Sequence, residues 1–214
     1  MKFICVLPVA LLLVGSVVSH QYNLGSCPPD VPFQSHLDID KFLGVWYVIQ
    51  MSSSASACHK LNITRDGEDL RLVTYSRYGL LQKAVDHTFI DTAALRMPDP
   101  TEPAKMKIKY SMYMWWEDFT VISTDYDNFA AAFSCVNVIH VGNRQNGMIL
   151  SRKPYLDLAT ADSLRKTFEF FGADRSSLSF INQKDCTGLL KSKSEHDRII
   201  SLGTLNINRD PKHK

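Results

Sequence analysis

The chain has 214 residues, 45% of them hydrophobic and 21% charged, with a formal net charge of +2. That length supports one domain with a sizeable core. So even a balance of charge gives no electrostatic hold on nucleic acid, and no nucleic-acid partner is expected.

The first element is a secretory leader, residues 1–19. Lys2 supplies a positive start, Val6 to Val14 is an apolar stretch too short to span a bilayer, and Val17 and Ser19 occupy the −3 and −1 positions of a cleavage site. No later segment has the length and apolarity of a membrane span, so a secreted, extracellular protein is expected. Cleavage would leave Cys27, Cys58, Cys135 and Cys186, an even number in an oxidising compartment. Two disulfides follow, with three pairings open. No C-x-x-C pair suggests zinc or a redox dithiol. Asn62-Ile63-Thr64 is an N-glycosylation sequon.

From there the apolar period is mostly two. Leu43 to Met51 reads as a strand carrying Trp46. Leu61 to Arg65 and Leu70 to Tyr78 flank the hairpin signal Asp66-Gly67-Glu68. Gly79-Leu80-Leu81 turns the chain into a strand from Gln82 to Ile90, and Pro98, Pro100 and Pro103 mark a longer loop. Lys105 to Met114 is the clearest strand. Lys105, Lys107, Lys109 and Ser111 line one face; Met106, Ile108, Tyr110, Met112 and Met114 line the other. Phe119 to Thr124, Phe129 to Val141 and Met148 to Arg152 complete eight strands, with Asn143 to Gly147 as the turn before the last. A helix follows, with Thr160 as its cap, Leu164, Phe168 and Phe171 as its apolar stripe, and Gly172 as its stop. Leu178 to Ile181 is a short ninth strand. Residues 20–190 form the domain. Residues 191–214, with Lys191, Lys193, Arg198, Arg209, Lys212 and Lys214, read as a mobile basic tail.

Three short signatures stand in fixed order along this pattern: Gly44-Val45-Trp46-Tyr47, Thr124-Asp125-Tyr126-Asp127 and Arg152-Lys153-Pro154. In this combination the chain resembles the lipocalins. Thr101-Glu102-Pro103-Ala104-Lys105, and Thr124 to Asn128 running on to Ser134-Cys135, place the likeness in their apolipoprotein D-like and bilin-binding branch, over residues 22–188. The resemblance implies an all-β fold, an eight-stranded antiparallel up-and-down barrel with one C-terminal helix packed outside and a short ninth strand. It also implies one small hydrophobic ligand in the lumen. It implies the pairs Cys27–Cys135 and Cys58–Cys186 and a glycan on Asn62. A second glycosylated asparagine of that branch is Asp99 here, an extra unpaired cysteine is Asn137, and two pocket tryptophans are Thr120 and Met148.

In an up-and-down barrel successive turns alternate between the two ends, so the three signatures meet at one end. There Trp46 is expected to plug the floor beneath the Arg152 guanidinium, with Gly44, Thr124, Asp125 and Tyr126 completing the closure and Asp125 stabilising a turn. Met106, Ile108, Tyr110, Met112 and Met148 are the expected ligand contacts, joined by Phe42 and Tyr47. Gly79-Leu80-Leu81 and Trp115-Trp116-Glu117-Asp118 fall at the open end. Adjacent strand tryptophans face opposite ways, so Leu80, Leu81, Trp115 and Trp116 should leave an exposed apolar patch suited to a membrane or lipoprotein surface. No catalytic residue, metal site or cofactor is expected, and a monomer is. His59 and His140 read as solvated or hydrogen-bonded strand residues. One alternative is a lipocalin-type isomerase, which needs a free thiolate. Another is an extracellular interaction protein with an incidental barrel, against which the aromatic lumen face argues.

Overall fold

A computed structural model describes residues 22–52, 54, 56–78, 88–138, 142–173 and 175–186. The leader, the tail, Leu80, Leu81 and His140 lie outside the described residues.

Alternation of apolar and polar side chains produces eight long strands: β2 (Gly44–Ser52), β3 (Ser56–Asp66), β4 (Asp69–Tyr78), β5 (Phe89–Arg96), β6 (Lys105–Tyr110), β7 (Glu117–Thr124), β8 (Phe129–Val138) and β9 (Gly142–Ser151). Each pairs antiparallel with the next, and β9 returns to β2 through Tyr47↔Ser151 and Met51↔Met148. The sheet therefore closes on itself as an up-and-down barrel, which removes the unpaired edges of an open sheet. Two short strands cover the seam. β1 (Tyr22–Asn23) lies along β9, and β10 (Leu178–Phe180) pairs with Gln50–Ser52 of β2, beyond the stretch Gly44–Tyr47 that pairs with β3.

Inward and outward faces form two separate cores. Inside, Trp46, Leu61, Ile63, Leu72, Leu95, Ile108 and Leu150 belong to one cluster. Outside, helix α2 (Leu158–Phe170) lays Leu164 and Phe168 over Ile122, Phe133 and Ile149. Gly147 sits beneath that helix: a Cβ there would meet Phe168 Cε1 at 3.0 Å, so the missing side chain lets the ring close down on the wall. A short helix α1 (Ile39–Phe42) precedes β2. Among the described residues, no helix is long and apolar enough to cross a membrane. The chain divides into two units, Met1–Gln183, which holds every element named here, and Lys184–Lys214.

Several local expectations are corrected. Of the expected Gln82–Ile90 strand, residues 82–87 lie outside the described residues; β5 runs Phe89–Arg96 and so extends beyond Ile90, with Ala93 and Leu95 turned inward opposite Leu72 and Leu70. Asn143 to Gly147 is not a turn. These residues pair with β8, and Asn143 Nδ2 donates to the Gly25 and Ser26 carbonyls at 3.1 and 3.2 Å, tying down the N-terminal segment. The helix starts earlier than Thr160. Asp157 is its cap and accepts the Thr160 N–H at 2.8 Å, which places Thr160 inside the first turn. β6 ends at Tyr110 rather than Met114. The Tyr113 N–H donates to the Tyr110 carbonyl at 3.0 Å, and that turn leaves Met112 and Met114 83% and 89% exposed.

Candidate functional site: a barrel with one closed end and one polar mouth

The closed end is built from the three signatures and α1. Asp38 caps α1 by accepting the Lys41 N–H at 3.2 Å, and the helix delivers a fully buried Phe42 into the barrel base. Gly44 follows at φ +97°, a left-handed conformation that glycine adopts without steric cost, and swings the chain into β2. Trp46 is then fully buried, its ring centroid 5.6 Å from that of Phe42, and its Nε1–H donates to the Phe42 carbonyl at 2.9 Å. Arg152, just past β9, lies over the indole with Cζ 3.6 Å from the ring centroid. Its guanidinium donates to three main-chain carbonyls: Tyr126 at 2.9 Å, Val45 at 2.9 Å and Lys41 at 2.7 Å. One cation thus ties the first helix, the first barrel strand and the β7–β8 turn to the end of the last strand.

That turn is stabilised by its own signature. The Asp125 carboxylate accepts from the N–H groups of Asn128 and Phe129, both at 2.8 Å, and from Asn128 Nδ2 at 2.8 Å. Partial burial opposes its charge, but these donors outweigh it and hold the carboxyl below the usual range. Thr124 Oγ1 donates to the Phe129 carbonyl at 2.8 Å, and the Tyr126 hydroxyl accepts the Asp38 N–H at 3.0 Å. Asp125 is a turn residue.

Above the floor the lumen is apolar and then changes character toward the mouth. One row across the wall holds Val121, Ala132 and Met148; the next holds Phe119, Ser134 and Asn146; the last holds Glu117, level with inward-facing Ile108, together with Val136 and Arg144. The small side chains of Ala93, Ala130 and Ala132, all inward in the core cluster, leave width that larger residues would fill. At the top, Glu117 and Arg144 form an ion pair with side chains only 5% and 20% exposed. Arg144 also donates to the Tyr113 hydroxyl at 3.4 Å, and Tyr113 stacks on Trp115 with centroids 5.0 Å apart. Burial, then the carboxylates of Glu117 and Asp91, push the Tyr110 phenol up, so it stays a neutral hydroxyl.

No family model matches the chain. It is 26% identical over 185 residues to apolipoprotein D of Bos taurus, covering 84% of this chain and 94% of that one. It is 28% identical over 181 residues to apolipoprotein D of Cavia porcellus, covering 83% and 93%. The solved structure of H1 crustacyanin from Homarus americanus superposes with a TM-score of 0.63 at 18% identity, covering 78% of this chain and 93% of that one. The chain has the lipocalin fold and is similar to apolipoprotein D over most of its length.

Within this barrel, Met106, Ile108, Tyr110 and Met148 belong to or pack against the inner cluster. Three other expected contacts stand elsewhere. Phe42 is part of the floor, packed on Trp46. Tyr47 is on the outer wall between Lys60 and Ser151, because its neighbours Trp46 and Val48 take the inward positions. Met112 is in the exposed β6–β7 turn. Thr120 likewise faces out, opposite Lys105 and Phe133. Asn62 sits on the outer wall beside the half-exposed Val45.

At the open end the two tryptophans separate. Trp115 is 49% exposed, whereas Trp116 is held on the outer wall between Arg96, 4.8 Å from its ring centroid, and Lys109, at 5.9 Å. The sequence pattern does not single out Glu117, Arg144 and Asn146 as pocket residues, because all three sit in stretches that read as turns. The spacing Glu117, Phe119, Val121 is the signal that assigns Glu117 to the lumen face.

A disulfide joins Cys27 to Cys135, and Cys58 and Cys186 are disulfide-bonded as well. A thiolate-based isomerase has no free thiol among the described residues. Burial pulls the His59 imidazole down to about 4, so it is neutral in the folded protein. Its Nδ1 lies 3.2 Å from Ser56 Oγ, and its carbonyl accepts from Gln183 Nε2 at 2.7 Å. Among the described residues, no three His, Cys, Asp or Glu side chains gather as metal ligands.

Proposed function

We propose that this protein is a secreted, monomeric carrier that binds one small hydrophobic molecule in its lumen. The observation that carries this is a lumen with apolar walls, sealed at the base by Trp46 and Phe42 and kept wide by Ala93, Ala130 and Ala132. Burial is the driving force. A ligand removing several hundred Å² of apolar surface from water at roughly 25 cal/mol per Å², less the cost of immobilisation, reaches micromolar to nanomolar affinity. Met106, Ile108, Tyr110 and Met148 are its wall contacts. The second disulfide is Cys58–Cys186, and Asn62 carries a glycan. The protein purified from culture medium should release an apolar molecule on solvent extraction and mass spectrometry. Once emptied, it should bind N-phenyl-1-naphthylamine with a fluorescence rise that Ala132→Phe abolishes while the circular dichroism stays native. Absence of both a co-purifying molecule and probe binding would overturn the carrier reading.

We further infer that the mouth touches a lipid surface. Met112, Met114 and Trp115 are all exposed on one turn at the open end, and a half-exposed indole suits the headgroup level of a bilayer. With so small a net charge, this contact is hydrophobic rather than electrostatic. Phosphatidylcholine vesicles should float wild-type protein and leave a Met112→Ser, Met114→Ser, Trp115→Ser triple variant behind. Equal flotation of the two would refute the contact, and unchanged probe affinity in the variant would separate docking from a lid function.

A further inference from the structure

The geometry points to a ligand that is a neutral, hydroxyl-bearing amphiphile rather than a carboxylic acid, with its polar end held by Asn146 beside the Glu117–Arg144 pair. The inference rests on the lumen-binding reading above and adds the head group to it.

Depth comes first. Phe119, Ser134 and Asn146 form one row of the wall, with Met148 and Ala132 one row below and Glu117 and Arg144 one row above. A ligand body seated on the Met148 row therefore ends at the level of Asn146 and meets the ion pair.

Charge comes second. Arg144 looks like a receptor for an anion, but its charge is already answered by Glu117, which is 5% exposed and aimed at the same space. The remaining guanidinium contacts go to Tyr113, as a hydrogen bond of 3.4 Å and as ring stacking at 5.3 Å, and the Trp115 Nε1–H donates to Glu117 at 3.3 Å. The pair is neutral as a unit. A carboxylate brought against it would place a second negative charge beside Glu117 in a poorly solvated space. Among the described residues of this pair and its contacts, nothing would compensate it unless the existing pair were broken.

Hydrogen bonding comes third. Asn146 Oδ1 is buried and accepts no hydrogen bond in the structure. A buried amide oxygen without a donor costs free energy until something supplies one. A ligand hydroxyl supplies it, and because a hydroxyl also accepts, it serves either end of the amide. An ionised carboxylate only accepts and leaves the oxygen unpaired. Sites of this kind discriminate strongly, since the wrong head group leaves a buried polar atom unsatisfied.

The test uses chain-matched competitors against bound N-phenyl-1-naphthylamine at pH 8. Tetradecan-1-ol should displace the probe at a concentration about tenfold or more below that needed for tetradecanoate. Glu117→Gln removes the repelling charge and frees Arg144, so the preference should shrink to within about threefold or reverse. Asn146→Leu should weaken the alcohol about tenfold while the affinity for the probe, which has no hydroxyl, stays within about twofold. Equal or tighter displacement by tetradecanoate in the wild type would overturn the proposal, as would unchanged alcohol affinity in Asn146→Leu or an unchanged preference in Glu117→Gln. Failure of the probe itself to bind would instead count against the lumen-binding reading, so the two failures are distinct.

Discussion

Trp46→Ala is expected to lower stability by about 3–5 kcal/mol, the range for removing a large aromatic from a core. Three losses combine. The indole is fully buried against Phe42, its N–H satisfies the Phe42 carbonyl, and its face carries the Arg152 guanidinium. Without the ring a buried carbonyl loses its donor and a partly desolvated cation loses its cover, each a cost beyond the cavity. Trp46→Phe keeps most of the volume but not the N–H, and should cost only about 1–2 kcal/mol. Thermal melts of the two variants against wild type measure the difference, and secreted yield should fall in the same order. A Trp46→Ala protein that melted like wild type and lost only ligand binding would show that the residue belongs to the pocket and not to the floor.

The second large effect concerns the Cys27–Cys135 disulfide, which spans a sequence separation of 108. In the chain-entropy model a loop of that size stabilises the fold by on the order of 4–5 kcal/mol, a bound that measured disulfides seldom reach. The N-terminal segment has other anchors. The Cys27 N–H donates to Asn137 Oδ1 at 2.8 Å, and the Asn143 amide donates to Gly25 and Ser26. A Cys27→Ser, Cys135→Ser double variant is therefore expected to lose about 3 kcal/mol, with a steeper urea dependence because its unfolded chain is more expanded. A loss below about 1 kcal/mol would mean that the two asparagines hold the segment without covalent help.

Strand existence was legible wherever alternation was clean, as in Met106, Ile108 and Tyr110, or where a turn residue forced the chain to reverse, as at Gly67. The floor was legible for a different reason. Its residues are chemically specific and fixed in order, so Trp46 and Arg152 could be brought together before any geometry was known. What failed was local. Asn143 and Gly147 look like turn residues, but one is spent on pinning the N-terminal segment and the other on admitting Phe168, both tertiary demands with no trace in the neighbouring sequence. Met112 continues the alternation of β6 perfectly well, yet a hydrogen-bonded turn at Tyr110 ends the strand before it. Tyr47 was drawn inward by its aromatic character, although its adjacency to Trp46 already assigns it to the other face. The polar mouth was hidden because buried charges are rare and their pairing joins β7 to β9, strands that are not neighbours in the sheet.

The floor also sets which positions are free to drift. Every acceptor of the Arg152 guanidinium is a main-chain carbonyl, at Lys41, Val45 and Tyr126, and the acceptor of the Trp46 indole is the carbonyl of Phe42. Main-chain oxygens are supplied by any residue. The residues that supply these four carbonyls can therefore be exchanged without the Arg152 and Trp46 hydrogen bonds being lost, whereas Gly44, Trp46 and Arg152, and the turn and cap side chains of Asp38, Thr124, Asp125 and Tyr126, carry the burden of identity. A lineage built this way can rewrite its walls and mouth for new cargo while its base is inherited intact.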